Sequence, residues 1–299
     1  MINVYEQVDQ NKRRSTVIMV LFVVVITFFA WVLAYFLGYG LDIVGLALIL
    51  AGLMSFVSYW WSDKIILAIS KARPADKERD FNFFTVTENL AMAAQIPKPQ
   101  LYVIEDTAPN AFATGRDPKH AVVCATTGLL KKLDRTELEG VVAHELSHVR
   151  NYDIRLMSLV TILVGMITLL ADWFLRGVRF KSRDKESGNL GGILFLIGLV
   201  LIFLSPIIAQ LMKLALARRR ELLADASAVM LTRQPQGLMR ALEKISADKE
   251  PLEVANKATA HLYITNPLKN RHDKIGWFAN FFNTHPPIEE RIKALKAMS

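Results

Sequence analysis

His144, Glu145 and His148 stand in the order H-E-x-x-H within Val141-Val-Ala-His-Glu-Leu-Ser-His-Val-Arg150. At a helical repeat of about 3.6 residues, positions four apart lie one above the other, so the two imidazoles can grip one metal ion from one helix face. Glu145 then projects beside them, where a carboxylate can take a proton from a metal-activated water, the general-base role in metal-assisted hydrolysis of a peptide bond. The bland reading is a solvated helix carrying two surface histidines. Leu138, Val141, Val142, Leu146 and Val149 argue against it, because they recur at helical spacing and form a stripe that folding buries. Imidazoles and a carboxylate in such a place need partners, and a metal supplies them.

Two histidines leave the site unfinished, since a catalytic zinc ion ordinarily takes three protein ligands and keeps a fourth position for water. The segment Arg218-Arg-Arg-Glu-Leu-Leu-Ala-Asp225 offers Glu221, with Asp225 one turn later on the same face. Glu221 can bind the metal, and Asp225 can hold a ligand imidazole through its other nitrogen. The alternative is a solvated acidic pair offsetting three arginines. An incomplete site on the same side of a membrane favours the ligand reading.

The elements that must position these groups are legible in the hydropathy pattern. Of 299 residues, 52% are hydrophobic and the formal charge is +8. No motif or basic-aromatic interleaving points to nucleic acid, and the cations gather beside apolar runs, as they do at lipid headgroups. Cys124 is the only cysteine, which excludes an intrachain disulfide. Ser15 to Leu41 and Ile43 to Ser62 are each long enough to cross a bilayer, the second ending on Tyr59-Trp60-Trp61. Lys12, Arg13 and Arg14 before this pair, and Lys64, Lys71 and Arg73 after it, place both ends in the cytoplasm. A second apolar pair follows, Leu156 to Leu175 and Asn189 to Met212, containing Asp172 and Pro206. The basic loop from Arg176 to Lys185 opposes a full crossing, so the pair reads either as a transmembrane hairpin or as a re-entrant pair. Both return the chain to the side of His144.

Between and after these runs the composition is that of a soluble domain. It predicts a helix over Phe81 to Ala94, strands at Gln100 to Ile104 and Ala121 to Thr126, and a short edge strand near Ala108 to Ala113. Asp134 and Glu137 form a capping box ahead of the metal helix. Helices are predicted over Leu214 to Leu231, from Pro235 to Ala247, and over Ile288 to Met298.

Taken together, these features resemble the HtpX family of membrane-anchored zinc metalloproteases, and more distantly the CAAX prenyl proteases. The resemblance rests on the hairpin, the soluble insert, H-E-x-x-H, the second apolar pair, Glu221-x-x-x-Asp225 and a terminal His285-Pro-Pro287, in that order. It implies one zinc ion per subunit held by His144, His148 and Glu221, with Glu145 as general base and Asp225 behind the ligands. It also implies that Asn110, Ala111, Phe112 and Ala113 form an edge strand that pairs with the substrate backbone. His285 and Arg291 match residues that steady the oxyanion or the substrate carbonyl; the plainer reading makes His285 a helix cap and Arg291 a surface cation. Asp153 fits the family pattern too, but nine residues past His144 it falls on another helical face and takes only a supporting role.

The fold expected is a mainly α membrane protein, with two apolar helical hairpins and a cytoplasmic α+β zincin-like domain built on a small sheet. Its divisions are residues 1–62, 63–155, 156–212 and 213–299. The expected activity is zinc-dependent cleavage of misfolded or damaged membrane proteins, or of other unfolded polypeptides, at the cytoplasmic face of a multi-pass protein of the inner (plasma) membrane. A CAAX-type processing protease, or a noncatalytic membrane chaperone keeping a structural zinc, are the competing readings.

Overall fold

A computed structural model of the chain describes residues 4–37, 40–163, 165, 218–248, 250, 252, 262–264 and 286–298. The first helix, α1 (Val4–Leu37), starts well before the apolar run and carries Lys12, Arg13 and Arg14 inside it. Its 34 residues make a rod of about 50 Å, against a hydrocarbon layer of about 30 Å. One stretch of α1, Val8–Val32, is long enough to cross a membrane and contains an 18-residue window with a mean hydropathy of 2.6. α2 (Leu41–Trp60) packs along α1. The chain then bends by 81° into α3 (Ser62–Ile69). Tyr59 and Trp60, at the end of α2, are met by cations from the following domain: the guanidinium of Arg155 lies 4.7 Å from the Tyr59 ring and that of Arg116 lies 4.6 Å from the Trp60 ring.

That domain contains a mixed four-stranded sheet. β1 (Arg73–Pro74), β2 (Gln100–Ile104), β3 (Ala111–Gly115) and β4 (Ala121–Thr126) stand in the order β1-β2-β4-β3, with β2 and β4 parallel and the other pairs antiparallel. β2 and β4 fall where the sequence puts them; the edge strand expected near Ala108 to Ala113 runs from Ala111 to Gly115, and β1 is two residues long and leaves no periodic signal. Helix α4 (Phe81–Ala93) and the short α5 (Thr127–Lys132) flank the sheet. The metal helix is α6 (Arg135–Arg150). The capping box opens it: Asp134 Oδ1 accepts from the Glu137 amide at 2.9 Å, and Glu137 Oε2 accepts from the Asp134 amide at 2.9 Å.

After α6 the chain turns through Asn151 and Tyr152, and residues 153–163 form α7. The apolar residues of α7, among them Leu156, Leu159, Val160 and Leu163, pack in one cluster with Ile18 and Phe22 of α1. The apolar stretch from Leu156 thus begins inside the protein; its remainder to Leu175, the stretch Asn189 to Met212 and the loop between them lie outside the described residues. Among the described residues, α8 (Arg218–Thr232), α9 (Pro235–Ala247) and α10 (Ile288–Lys296) follow. α8 and α9 both pack on α6, and α10 packs on α8 and α9. The approach of α9 to α6 depends on two glycines: a Cβ on Gly140 would lie 2.6 Å from the Leu238 amide nitrogen, and one on Gly237 would lie 2.6 Å from the Thr136 carbonyl oxygen. The described residues are therefore mostly helical, with one apolar N-terminal helix and a small mixed sheet.

Candidate metal centre

The stripe predicted along α6 is buried, and its opposite side is buried as well, because α4, α8, α9 and the sheet close around it. His144, Glu145 and His148 are each less than 5% exposed. Facing them from α8 is Glu221, also buried. His144 Nε2 lies 3.6 Å from Glu221 Oε2, His148 Nε2 lies 3.5 Å from Glu221 Oε1, and the two Nε2 atoms are 3.2 Å apart. Tetrahedral coordination with bonds of about 2.0–2.1 Å separates neighbouring ligand atoms by roughly 3.3–3.4 Å. The triangle already has those dimensions. Two imidazole nitrogens and a carboxylate are also a donor set that suits zinc.

Each histidine is oriented from behind by its own carboxylate. Asp225 Oδ1 lies 2.9 Å from His144 Nδ1, and Asp153 Oδ2 lies 3.1 Å from His148 Nδ1. A carboxylate oxygen accepts, so each Nδ1 carries the hydrogen and each Nε2 turns a lone pair toward the triangle. The short Nε2–Nε2 distance is thus two ligand atoms converging rather than a hydrogen bond. Asp225 occupies the place its spacing from Glu221 predicted. Asp153 does more than its offset suggested. α6 ends at Arg150, and Tyr152, at φ 59°, reverses the backbone before Asp153, so a wheel continued past the helix end misplaces the side chain.

Arg291 reaches this network from α10 and is no surface cation, being fully buried. Its Nε and Nη2 donate to Asp225 at 2.8 and 2.6 Å, while Nη1 lies 4.0 Å from Glu221 Oε2. Nη2 also stands 3.4 Å from His144 Nδ1. Both are donors, so that approach is two donors sharing one carboxylate. His285 lies outside the described residues.

The charges respond to these contacts. Burial pushes the Asp225 carboxyl up, but the charge of Arg291 and the hydrogen bonds from His144 and Arg291 outweigh it and hold its pKa at about 2. Burial and the Arg291 charge push His144 down; the hydrogen bond to Asp225 and the nearby Glu221 carboxylate prevail and raise it to about 9. Burial likewise opposes the protonated form of His148, yet its hydrogen bond to Asp153 and the charge of Glu221 raise its pKa. The cluster is built to stabilise positive charge at its centre. Among the described residues, His144, His148 and Glu221 are the group whose donors come close enough together to hold a metal ion.

β3 lies against α6 at the end of the sheet. The Asn110 carbonyl accepts from the Thr126 amide, so by antiparallel alternation the backbone groups of Ala111 and Ala113 point to the outer edge. At Ala111 that edge is engaged by this chain: its carbonyl accepts from the Ile264 amide at 3.1 Å. The Phe112 ring is fully buried and packs edge-on against Tyr263, with centroids 5.2 Å apart. The Asn110 side chain accepts from the Ala111 amide.

The profile of peptidase family M48 matches residues 78–299. Over 299 residues the chain is 43% identical to a protein described as Protease HtpX homolog from Caldanaerobacter subterraneus subsp. tengcongensis, covering 99% of this chain and 98% of that one. The Protease HtpX homolog of Dictyoglomus thermophilum is 43% identical over 296 residues, covering 98% and 94%. Among solved structures, the crystal structure of S. mikatae Ste24p aligns with 93% of this chain and 62% of that one, at a TM-score of 0.45 and 21% identity.

Proposed function

This chain belongs to peptidase family M48, with the HtpX proteins as its full-length relatives, and from that premise we propose that it is a zinc-dependent endopeptidase acting at a membrane surface. The metalloprotease class follows from the family; the metal identity, the residue roles, the substrates and the topology are our reading. The observation that carries the reading is the buried triangle of His144 Nε2, His148 Nε2 and the Glu221 carboxylate, at tetrahedral ligand spacing, with Glu145 on the same helix.

In this reading His144, His148 and Glu221 hold the zinc ion. Bound there, zinc supplies a Lewis acid that lowers the pKa of water and polarises a peptide carbonyl. Glu145 takes the proton of the attacking water and returns it to the leaving amine. Asp225 and Asp153 keep both imidazoles in the tautomer that points Nε2 inward, and Arg291 keeps Asp225 in place. Arg291 Nη1, the nitrogen not donated to Asp225, is the part of that side chain with scope to act on developing negative charge, and His285 is a second donor proposed for the same task. Substrate adds to the outer edge of β3 as an extended strand. Because Ile264 holds Ala111 and the side chains of Asn110 and Phe112 are occupied, Ala113 is the residue of that segment whose backbone carries the pairing.

The substrates we propose are misfolded or damaged membrane proteins and other unfolded chains, removed during stress. A backbone-reading edge accepts many sequences, and a site beside a bilayer meets such chains by confinement. The α1–α2 pair, the bend into α3 and the basic clusters on either side support a multi-pass protein of the plasma membrane with its catalytic domain, residues 63–155 and 213–299, in the cytoplasm; residues 156–212 enter this reading as a second apolar pair, either transmembrane or re-entrant. Labelling of the Arg176 to Lys185 loop from outside the cell tests that topology; labelling from the cytoplasm alone excludes two full crossings. The decisive activity test is Glu145→Gln. It should retain one zinc per chain and lose cleavage of an unfolded substrate by about 100-fold or more. Undiminished turnover would sink the mechanism.

A further inference from the structure

Asp153, the carboxylate behind His148, is itself held in place, and its principal partner comes from the far end of the sequence. Asn11 lies on the basic turn of α1, 3% exposed. Its Nδ2 donates to Asp153 Oδ1 at 2.8 Å and to the Asn151 carbonyl at 2.9 Å. The amide orientation is dictated by those contacts, because a carbonyl oxygen turned the same way would face two acceptors. Asn151 closes the C-terminus of α6, where the last carbonyls of a helix have no intrahelical donor. One amide therefore satisfies the end of the metal helix and aims the carboxylate that aims a ligand.

The surroundings show that this is a built contact. Asn11, Ser15, Ile18 and Phe22 form one buried stripe on α1, and Ser15 Oγ donates to the Asn11 carbonyl at 2.8 Å. Lys12 lies over the Tyr152 ring at 4.6 Å. Tyr152 is the residue held at φ 59°, a left-handed conformation costly for an aromatic side chain and tolerated where surrounding contacts enforce it. The other cation near Asp153, Arg220, stands at 3.7 Å from Oδ1, farther than the amide. His144 is supported in parallel fashion by Asp225, which Arg291 clamps. The two imidazoles thus rest on carboxylates anchored at opposite ends of the chain.

We propose that Asn11, on the apolar N-terminal helix, is a positioning residue of the metal site, acting through Asp153 on His148. The inference rests on the metal reading of His144, His148 and Glu221, and it makes α1 part of the site as well as an anchor. The test is cobalt and zinc binding by the full chain in detergent, with chelator competition for affinity and the visible absorption of bound cobalt as a report on ligand geometry. Asn11→Ala should weaken metal binding by roughly tenfold, the low end for residues that support a ligand from behind, and should change the cobalt spectrum. Lys12→Ala removes a contact between the same two turns without touching Asp153, and should leave both unaltered. In the Asp153→Ala background, Asn11→Ala should add little further loss.

Three results overturn the proposal: affinity and spectrum unchanged in Asn11→Ala, equal losses in Asn11→Ala and Lys12→Ala, or independent losses in Asn11→Ala and Asp153→Ala. Should Asn11→Ala not be recovered folded, Asp153→Asn probes the link from its other end, and an unchanged affinity and spectrum there also overturns it. A wild-type chain that takes up no metal refutes the metal reading itself, which is a distinguishable failure.

Discussion

Arg291→Met is the perturbation that most directly interrogates the electrostatic construction of the site. The wild-type guanidinium and the Asp225 carboxylate are both fully buried and joined by two hydrogen bonds of 2.8 and 2.6 Å. Methionine fills much of the arginine volume, so the change is chiefly electrical. It leaves Asp225 charged in a dry interior with His144 Nδ1 as its remaining close partner named above, and removing one member of a buried pair costs about 3–5 kcal/mol. For a domain of this size that corresponds to a melting point lower by roughly 6–20 °C. The assay is thermal denaturation of the purified chain in detergent, alongside the double variant Asp225→Asn/Arg291→Met. Neutralising Asp225 removes the stranded charge while keeping an acceptor for His144, so the double variant should recover most of the lost stability. It should also recover cleavage at saturating zinc if Arg291 acts through Asp225. Stability restored without cleavage would show instead that Nη1 acts on the reacting carbonyl. A loss below about 1 kcal/mol in the single variant, or additive losses in the double, would refute the coupling.

Glu221→Ala removes a ligand, so the metal should be lost from the chain on desalting, with affinity falling by more than the roughly 10–100-fold typical of a supporting residue; unchanged stoichiometry by metal analysis would remove Glu221 from the site. Gly140→Ala forces a methyl group against the backbone of Leu238 and should destabilise by about 1–3 kcal/mol, measured by denaturation, with reduced cleavage because His144 lies one turn further on. Gly140→Ala and Gly237→Ala should combine with less than additive loss, since either one already parts α6 from α9. Asp134→Ala should cost about 0.5–1 kcal/mol by uncapping α6. The Asp134 carboxyl is held below its ordinary value by the Glu137 amide. A depressed folded pKa stabilises above the unfolded value of about 3.9 and loses that contribution as pH falls through the folded value. The difference between wild type and Asp134→Ala should therefore be full near pH 6 and vanish in strong acid; a constant difference would refute it.

What was legible in the sequence was whatever is encoded within a few turns of one helix or strand. The H-E-x-x-H face, the capping box at Asp134 and Glu137, and the pair Glu221 and Asp225 are all local spacings, and the backbone realises each as its periodicity requires. A helical wheel misplaces Asp153 because α6 ends at Arg150. The reversal at Tyr152 lies in a non-glycine residue, with no turn signal in its type. Asn11 sat beside Lys12, Arg13 and Arg14, whose charge announces topology and masks the neutral neighbour that enters the core. Arg291 was assigned by resemblance alone, and its clamp on Asp225 has no sequence signature, since the partners are 66 residues apart. The two-residue β1 and the contact of Ile264 on Ala111 are likewise products of packing, invisible to any periodic rule.

The arrangement also bears on why α1 is attached where it is. A buried cluster of four carboxylates, Glu145, Asp153, Glu221 and Asp225, with two imidazoles is stable only when nearly every polar atom has a partner, because in a low dielectric an unsatisfied group costs more than a satisfied one contributes. α8 supplies Glu221 and Asp225, α10 supplies Arg291, and the first residue of α7 is Asp153. The C-terminal face of α6 still presents Asp153 Oδ1 and the Asn151 carbonyl, and α1 answers both with one neutral amide. A cation in that position would compete with a metal for the negative charge of the cluster; Arg220 stands farther from Asp153, at 3.7 Å. An asparagine satisfies both acceptors without that competition. Lys12, Arg13 and Arg14 are displaced around the helix from the buried stripe of Asn11, Ser15, Ile18 and Phe22, so the same turn carries its cations off that stripe and its one neutral amide on it.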